Sequence, residues 1–297
     1  MTTVLCNGRC VLGADFPVAT CSATLIVAPL VSFLVLCQPG TALSVPIVGL
    51  MIPAIFFLIR CCLTDPGILP PSADGSPPPS MDPLELTVHE TMLVVVDGQP
   101  KEVPILRKWC TTCQILRPVR AHHCTLCDAC VDRFDHHCPW VGTCVGRRNY
   151  RYFYGFICTV SALSLMTVVV AAITALRQRE TPIEENASLS VAFRERYLAI
   201  IMIVYAVIIL LLVGSMAAYH TALVSSNQTT YEDIKNKPNH FSGSTCYNIK
   251  QMLLDDVGHS LYLESWRLGG GKEGGPGIAQ PVDDAGLMED GGQFPPV

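Results

Sequence analysis

Four apolar stretches govern what this chain can fold into, running approximately from Pro17 to Cys37, Val45 to Leu63, Tyr154 to Leu176 and Tyr197 to Val224. Each approaches or exceeds the roughly 20 helical residues that cross a hydrocarbon core of about 30 Å. Inside lipid no water satisfies a backbone N–H or C=O, so such segments fold as helices. Pro29, Pro46 and Pro53 fall in the first pair and would kink or bound those helices, which membrane spans tolerate. A buried soluble helix is the alternative. It fails on length for the last two stretches and is harder to dismiss for the second. Half of the residues are apolar and 15% are charged, an unusual balance for a soluble domain. The first stretch has a weakly basic flank and another stretch follows at once, so it reads as a span and not as a cleaved signal.

Between the second and third stretches, residues 110–144 hold seven of the fifteen cysteines and four of the eight histidines. Two Cys-x2-Cys steps with interleaved histidines are metal-ligand spacing, because two thiolates three residues apart can turn back onto one tetrahedral ion. A disulfide knot would suit a small secreted scaffold, which this chain does not resemble. Two tetrahedral sites need eight donors. The seven cysteines with His122, His123, His136 and His137 offer eleven, so there is a surplus. Cys138 lies in Asp135-His136-His137-Cys138, where a carboxylate, imidazoles and a thiol fall within four residues. An ordinary thiol is only about 3% thiolate at neutral pH. An imidazole that takes its proton, itself oriented by a carboxylate, turns such a thiol into a nucleophile. The donor arithmetic favours catalysis over a purely structural module.

The pattern Cys110-x2-Cys113-x9-His123-Cys124-x2-Cys127-x2-Cys130-x4-Asp135-His136-His137-Cys138-x5-Cys144 resembles the cysteine-rich domain of the DHHC protein S-acyltransferases through its whole length. Pro139-Trp140-Val141 and Arg148-Asn149-Tyr150-Arg151-Tyr152-Phe153 also read as that family. Asp65-Pro66-Gly67 is similar to its DPG motif and Thr229-Thr230-Tyr231-Glu232 to its TTxE motif. Asn239-x-Phe241-x6-Asn248 is similar to its C-terminal aromatic-asparagine motif, although Gly243 is one residue early and His240 stands where proline is expected. The resemblance covers roughly residues 10–257.

The resemblance implies transfer of a palmitoyl group from palmitoyl-CoA to protein cysteines through a thioester on Cys138, with His136 as base and Asp135 fixing its tautomer. It also implies two structural zinc ions, one on Cys110, Cys113, His123 and Cys130, the other on Cys124, Cys127, His137 and Cys144. Full coordination leaves no open position for Lewis-acid chemistry. His122 is left over. Thr230 would support Asp135, and Asn248 would tie the C-terminal segment to the membrane end. Trp140 either shields the thioester or anchors the interface, and Arg147, Arg148 and Arg151 are candidates for CoA phosphates, although basic residues at a membrane edge commonly face lipid headgroups. Small residues of the third stretch, Gly155 and Ser161 among them, make room for an acyl chain or serve ordinary helix packing.

The fold class expected is mainly α: a polytopic membrane protein with four transmembrane helices and a cytosolic Cys/His-rich zinc-binding domain between helices two and three. The loop between spans two and three carries ten basic residues from Arg60 to Arg151, and the connection Gln38 to Ser44 carries no charge, so positive-inside reasoning puts that loop and both termini in the cytosol. Arg177, Arg179 and Arg194 fit this less well, though acidic residues match them. The expected organisation is a cytosolic segment over 1–16, two spans within 17–63, a linker with a short hairpin over 64–109 and the catalytic domain over 110–153. Two spans within 154–224 then flank a lumenal loop at 177–196, followed by a cytosolic segment over 225–268 and a disordered tail over 269–297. The lumenal loop holds the acceptor sequon Asn186-Ala187-Ser188. Cys61-Cys62, Cys6 and Cys10 are either membrane-edge cysteines of no special role or acylation sites.

Asp132-Arg133-Phe134-Asp135 and Asn227-Gln228-Thr229-Thr230 are similar to the Ras-modifying subgroup, which works with a small accessory subunit at Golgi or endoplasmic reticulum membranes. The implied partners are the membrane, protein substrates with membrane-proximal cysteines such as Ras-like proteins, and such a subunit. Nucleic acid is not expected, because the basic residues flank metal ligands and membrane and no base-reading module is present. Two rivals are a membrane-anchored zinc-binding ligase of the RING kind, whose ligand order differs, and a scaffold using zinc only for folding. A zinc transporter is disfavoured by spans almost free of ionisable residues.

Overall fold

A computed structural model describes residues 3–5, 10–13, 15–72, 75–180, 189–255, 257–258 and 260–261. The Asn186 sequon, Cys6 and the 269–297 tail lie outside the described residues. The chain divides into two compact units: Met1–Phe16 with Cys61–Arg151 and Ala222–Val297, and Pro17–Arg60 with Tyr152–Thr221.

The second unit is built from four helices: α1 (Phe16–Cys37), α2 (Thr41–Leu63), α3 (Tyr150–Glu180) and α4 (Leu189–Ser226). All four are long and apolar enough to cross a membrane. Their outward faces carry bare large side chains, Ile52 at 65% and Leu211 at 68% exposure for example. At about 25 cal/mol per Å² such exposure is costly in water and costless in lipid. α3 and α4 run beyond the apolar stretches, so the predicted 177–196 loop contracts to the residues between Glu180 and Leu189. Polar flanks such as Arg177-Gln178-Arg179-Glu180 are good helix formers and extend a helix once lipid has nucleated it.

All three prolines sit inside helices. Pro29 has no N–H for the carbonyl of Leu25, and the Tyr205 hydroxyl from α4 donates to that oxygen at 2.6 Å. The hydroxyls of Ser161, Thr167 and Thr174 in α3 donate back to the carbonyls of Ile157, Leu163 and Val170 at 2.7–2.8 Å, so these polar groups need no partner from lipid. A Cβ on Gly155 would lie 2.9 Å from the Phe57 ring, so this small residue serves packing of α3 on α2.

The first unit is a set of small antiparallel sheets. β1 (Thr3–Leu5) pairs with β2 (Cys10–Leu12), and β3 (Ile68–Leu69) adds to a hairpin described below. β4 (Thr87–Val96) and β5 (Gln99–Cys110) form a hairpin closed at Asp97-Gly98, both at positive φ as a tight two-residue turn requires. It is longer than the short hairpin read from the sequence. Pro100 and Pro104 of β5 hide the extension, because proline usually marks a strand's end or edge. β6 (Ile115–Leu116) folds back on the end of β5. The pairs β7 (His122–Cys124) with β8 (Ala129–Val131), and β9 (His136–Cys138) with β10 (Thr143–Val145), follow. Two short helices, α5 (Thr230–Ile234) and α6 (Thr245–Ile249), end this unit with a π-helical turn at Lys250–Leu254.

Candidate functional site

Two clusters of metal-ligating side chains form, Cys110, Cys113, His123 and Cys130 in one and Cys124, Cys127, His137 and Cys144 in the other, with all ligand atoms of each within 4.8 Å of one another. A tetrahedral ion with bonds of about 2.3 Å to sulfur and about 2.0 Å to nitrogen sets those ligands about 3.5 Å apart. The Nδ1 of His123 lies 3.5, 3.4 and 3.8 Å from the sulfurs of Cys110, Cys113 and Cys130. The Nδ1 of His137 lies 3.7, 3.3 and 3.5 Å from those of Cys124, Cys127 and Cys144. Three soft thiolates and one imidazole at these spacings suit zinc, and four protein donors close each site. The ligand sulfurs are also core: Cys124, Cys127 and Cys144 pack with Ile68, Val131 and Phe134, and Cys110, Cys113 and Cys130 pack with Leu69.

Both clusters are assembled the same way. A Cys-x2-Cys turn supplies two ligands, and a directly opposed His–Cys pair on an antiparallel hairpin supplies the others: His123 opposite Cys130 across β7–β8, His137 opposite Cys144 across β9–β10. Each ligand of the second cluster lies fourteen residues after its counterpart in the first, so Cys-x2-Cys-x9-His-x6-Cys occurs twice, overlapping. The residue after each turn adopts the left-handed conformation, Gln114 at φ 54° and Asp128 at φ 51°.

Continuing the period by fourteen places Cys138 where Cys110 and Cys124 stand, Gly142 (φ 75°) where Gln114 and Asp128 stand, and Val141 where the second cysteine would be. Cys138 is thus the first cysteine of a third turn that lacks its partner. In the first turn the Cys113 N–H donates to the Cys110 sulfur at 3.4 Å. In the third, the backbone N–H groups of Val141 and Trp140 help to lower the Cys138 thiol. A turn that elsewhere stabilises a metal-bound thiolate here stabilises a thiolate with no cluster to join.

Alternation along β9 sends His137 to the second cluster and leaves His136 and Cys138 together. The sulfur of Cys138 is hydrogen-bonded to His136, whose Nδ1 lies 2.6 Å from Asp135 Oδ2. Asp135 is fully buried; its Oδ1 accepts from the Thr230 N–H at 2.9 Å. Burial pushes the Cys138 thiol up, but the hydrogen bond and charge of His136, with the two backbone N–H groups, outweigh it and leave the thiol below its ordinary value. Burial alone would lower His136, yet Asp135 and Cys138 raise it to about 9. His122, the counterpart of His136 in the previous repeat, follows Ala121 where His136 follows Asp135. It stacks on Tyr231 at 4.3 Å, and burial with the nearby Arg117 and Lys237 charges pulls it down to about 4. It joins neither cluster.

Among the other expected residues, Thr230 reaches Asp135 through its backbone, and its buried hydroxyl has no hydrogen-bond partner among the described residues. Asn248 is buried and donates to the carbonyls of Ser225 and Gly243, tying α6 to the end of α4. Trp140 lies 56% exposed on a single 3-10 turn, Pro139–Val141, directly after Cys138. The arginines turn toward the C-terminal segment: Arg148 donates to the carbonyls of Val257 and Gly258 and Arg151 to that of Asp255, at 2.9, 2.6 and 2.7 Å. Arg147 donates to Asp132 at 3.4 Å.

For several functional residues the sequence reading gave motif membership at most, and no partner. Asp65 is buried, accepts from the N–H groups of Gly67 and Ile68 and from the Ser260 hydroxyl, and pins residues 65–70 that read as irregular linker. Asn149 donates to the carbonyls of Cys144 and Cys61 and accepts from the Gly146 N–H. Asp15 lies 2.8 Å from His137 Nε2. Arg120 makes a bidentate pair with Glu232 at 2.7 Å and also donates to Asn227. Glu232 closes a capping box with Thr229 at the start of α5, the helix whose first N–H meets Asp135. Their signal was weak, since an Arg or Asp far along the chain declares no partner.

Replacing Arg120 with alanine leaves a buried carboxylate unpaired and is expected to destabilise this unit by about 3–5 kcal/mol, read as a lower chemical-denaturation midpoint. Burial pushes Glu232 up, but the charge and hydrogen bonds of Arg120 hold it below its ordinary 4.5. Its contribution is therefore present above pH 4.5 and lost as pH falls through the depressed folded value, so the variant's deficit shrinks in acid.

Residues 104–237 match the family model described as DHHC palmitoyltransferase. The chain is 33% identical to protein S-acyltransferase 8 of Arabidopsis thaliana over 82% of its own length and 63% of the relative. It is 35% identical to palmitoyltransferase ZDHHC18 of Mus musculus over 77% of its own length and 62% of that protein. It is 37% identical to palmitoyltransferase erf2 of Neurospora crassa over 77% of its own length and 35% of that protein. The chain thus spans less than two thirds of these curated relatives. With the paired clusters, Cys138 outside them and the Asp135–His136 couple all inside the matched segment, residues 104–237 of this chain are a DHHC palmitoyltransferase domain.

Proposed function

We propose that this protein is a protein S-acyltransferase that moves a palmitoyl group from palmitoyl-CoA to cysteines of protein substrates. The observation that carries the reading is a buried thiol outside both metal clusters, hydrogen-bonded to an imidazole that a buried carboxylate holds. The Cys138 thiolate attacks the thioester carbonyl of the donor. The carbon–sulfur bond to CoA breaks, the His136 imidazolium gives its proton to the departing CoA thiolate, and the chain is left as a thioester on Cys138. A substrate thiol then loses its proton to His136 as its sulfur attacks the same carbonyl. The bond to Cys138 breaks and the thiolate returns beside the imidazolium. One thioester replaces another in both halves, so neither is steeply uphill. Asp135 keeps Nδ1 protonated and Nε2 turned to the reaction.

Zinc in both clusters supplies folding free energy and a rigid support. Of the three arginines expected near CoA, Arg147 is best placed to meet a phosphate, since Arg148 and Arg151 are committed to backbone carbonyls. The Ras-modifying motifs support Ras-like substrates with membrane-proximal cysteines, a small accessory subunit, residence in the endoplasmic reticulum or Golgi, and a cytosolic catalytic unit and termini.

The test is incubation of the purified protein with labelled palmitoyl-CoA. Expected are label on the peptide containing Cys138, its discharge by neutral hydroxylamine, and its transfer to an added cysteine peptide. Hydroxylamine-resistant label, or none, overturns the reading.

A further inference from the structure

Beside β9 runs a segment of the chain from far upstream, and it touches the second metal cluster from behind. His137 faces Cys124, Cys127 and Cys144 through Nδ1, so its other nitrogen carries a proton and needs an acceptor. Asp15 Oδ2 lies 2.8 Å from that Nε2, and the His137 side chain is 6% exposed. Among the described residues the first cluster has no equivalent: the carboxylate beside His123 Nε2 is that of Asp128, at 3.7 Å and 69% exposed. The backbone holds Asp15 in place. Its N–H donates to the Gly142 carbonyl at 3.2 Å. A Cβ on Gly13 would collide with that same carbonyl, and one on Gly142 would lie 2.9 Å from Phe16 Cα. Glycine at both positions lets the upstream chain press against the turn that directly follows Cys138.

We propose that Asp15 is a positioning residue for Cys138, acting through His137: by accepting the Nε2 proton it fixes the imidazole between carboxylate and metal, and so fixes β9. His136 and Cys138 flank His137 on the strand, and a strand pinned at its middle residue from two sides cannot turn about its own axis. The tautomer is fixed as well, since a proton held at Nε2 leaves the Nδ1 lone pair for the metal. The proposal rests on the acyltransferase reading only for its second measurement.

The first measurement is release of zinc from the purified full chain to a chromogenic chelator, before any acyl-CoA is added. In Asp15→Ala one of two zinc ions is expected to leave about 10–100 times faster than in wild type. Asp15→Asn keeps an oxygen for the Nε2 proton and is expected to stay near wild type. Gly13→Ala is expected to match Asp15→Ala although the carboxylate remains, because the added Cβ forces the segment away. The second measurement is the rate of Cys138 acylation. Asp15→Ala is expected to slow it about tenfold or more with little change in half-saturating acyl-CoA, and Asp15→Asn to restore it. Wild-type release from Asp15→Ala, or release from Asp15→Asn as fast as from Asp15→Ala, overturns the proposal. If wild type takes no acyl label at all, the acyltransferase reading falls and the zinc release still decides on Asp15. Should Asp15→Ala not fold, Asp15→Asn and Gly13→Ala make the same decision.

Discussion

Cys138→Ser is expected to abolish acyl labelling while the chain keeps two metal ions. Neither cluster counts Cys138 among its donors, so the metal content has no reason to change. The hydroxyl that replaces the thiol is a far weaker acid, and a couple tuned to hold a thiolate does not ionise it. His136→Ala is expected to keep the nucleophile and slow acylation by on the order of 10²–10⁴, the usual worth of a positioned acid–base group. Its signature is in the pH profile of Cys138 alkylation by iodoacetamide. In wild type the thiol ionises below its ordinary value and His136 stays protonated up to about 9, so reactivity climbs through the lowered thiol pKa and levels off. Without His136 the raising effect of burial loses its largest opponents, and the midpoint moves up. Metal analysis separates the alternatives: loss of metal in Cys138→Ser makes Cys138 a ligand and leaves a scaffold that uses metal only for folding.

The four helices and the Cys-x2-Cys turns were legible because their signals are local, while the division of the ligands between two sites came from the family resemblance. An apolar run declares its own span, and thiolates three residues apart declare their own turn. What stayed hidden is what depends on partners brought from a distance. Asp65-Pro66-Gly67 reads as the start of a loop, yet the Asp65 carboxylate satisfies Gly67 and Ile68, and β3 pairs Ile68 with Val131. Arg120 and Glu232, or Asp15 and His137, carry no mark in the sequence that they meet. One feature was visible and passed over: the fourteen-residue period that runs from Cys110 through Cys124 to Cys138. It explains physically why one cysteine of seven is spare. Val141 stands where a metal-binding turn requires sulfur, and the backbone still presents its N–H groups. Expecting a carboxylate–imidazole–thiol couple at Cys138 needed only composition within four residues. Recognising that the couple sits on a metal-binding turn without a metal needed the hairpin register.

The overlap of the two repeats makes their metal sites unequal. The turn of the second cluster, Cys124 to Cys127, is also the connection between β7 and β8, and that hairpin carries His123 opposite Cys130 for the first cluster. Cys127→Ser is therefore expected to disorder the β7–β8 connection and release both metal ions. Cys113→Ser removes a ligand from the turn at the end of β5, which takes no part in β9–β10, and is expected to leave one. Metal-coupled folding contributes on the order of 10–16 kcal/mol per structural zinc, more than the short hairpins β7–β8 and β9–β10 can replace from their own packing. The expected metal content after gel filtration is thus near none for Cys127→Ser and near one for Cys113→Ser, with acyl labelling of Cys138 lost in the first and partly retained in the second. Equal loss from both variants would mean that the clusters fold as one indivisible unit, and the ordering inferred from the hairpin would be wrong. Retention of the second ion with labelling intact would show that the catalytic strand depends on its own cluster alone, with β7–β8 serving to join it to β3 and residues 65–70.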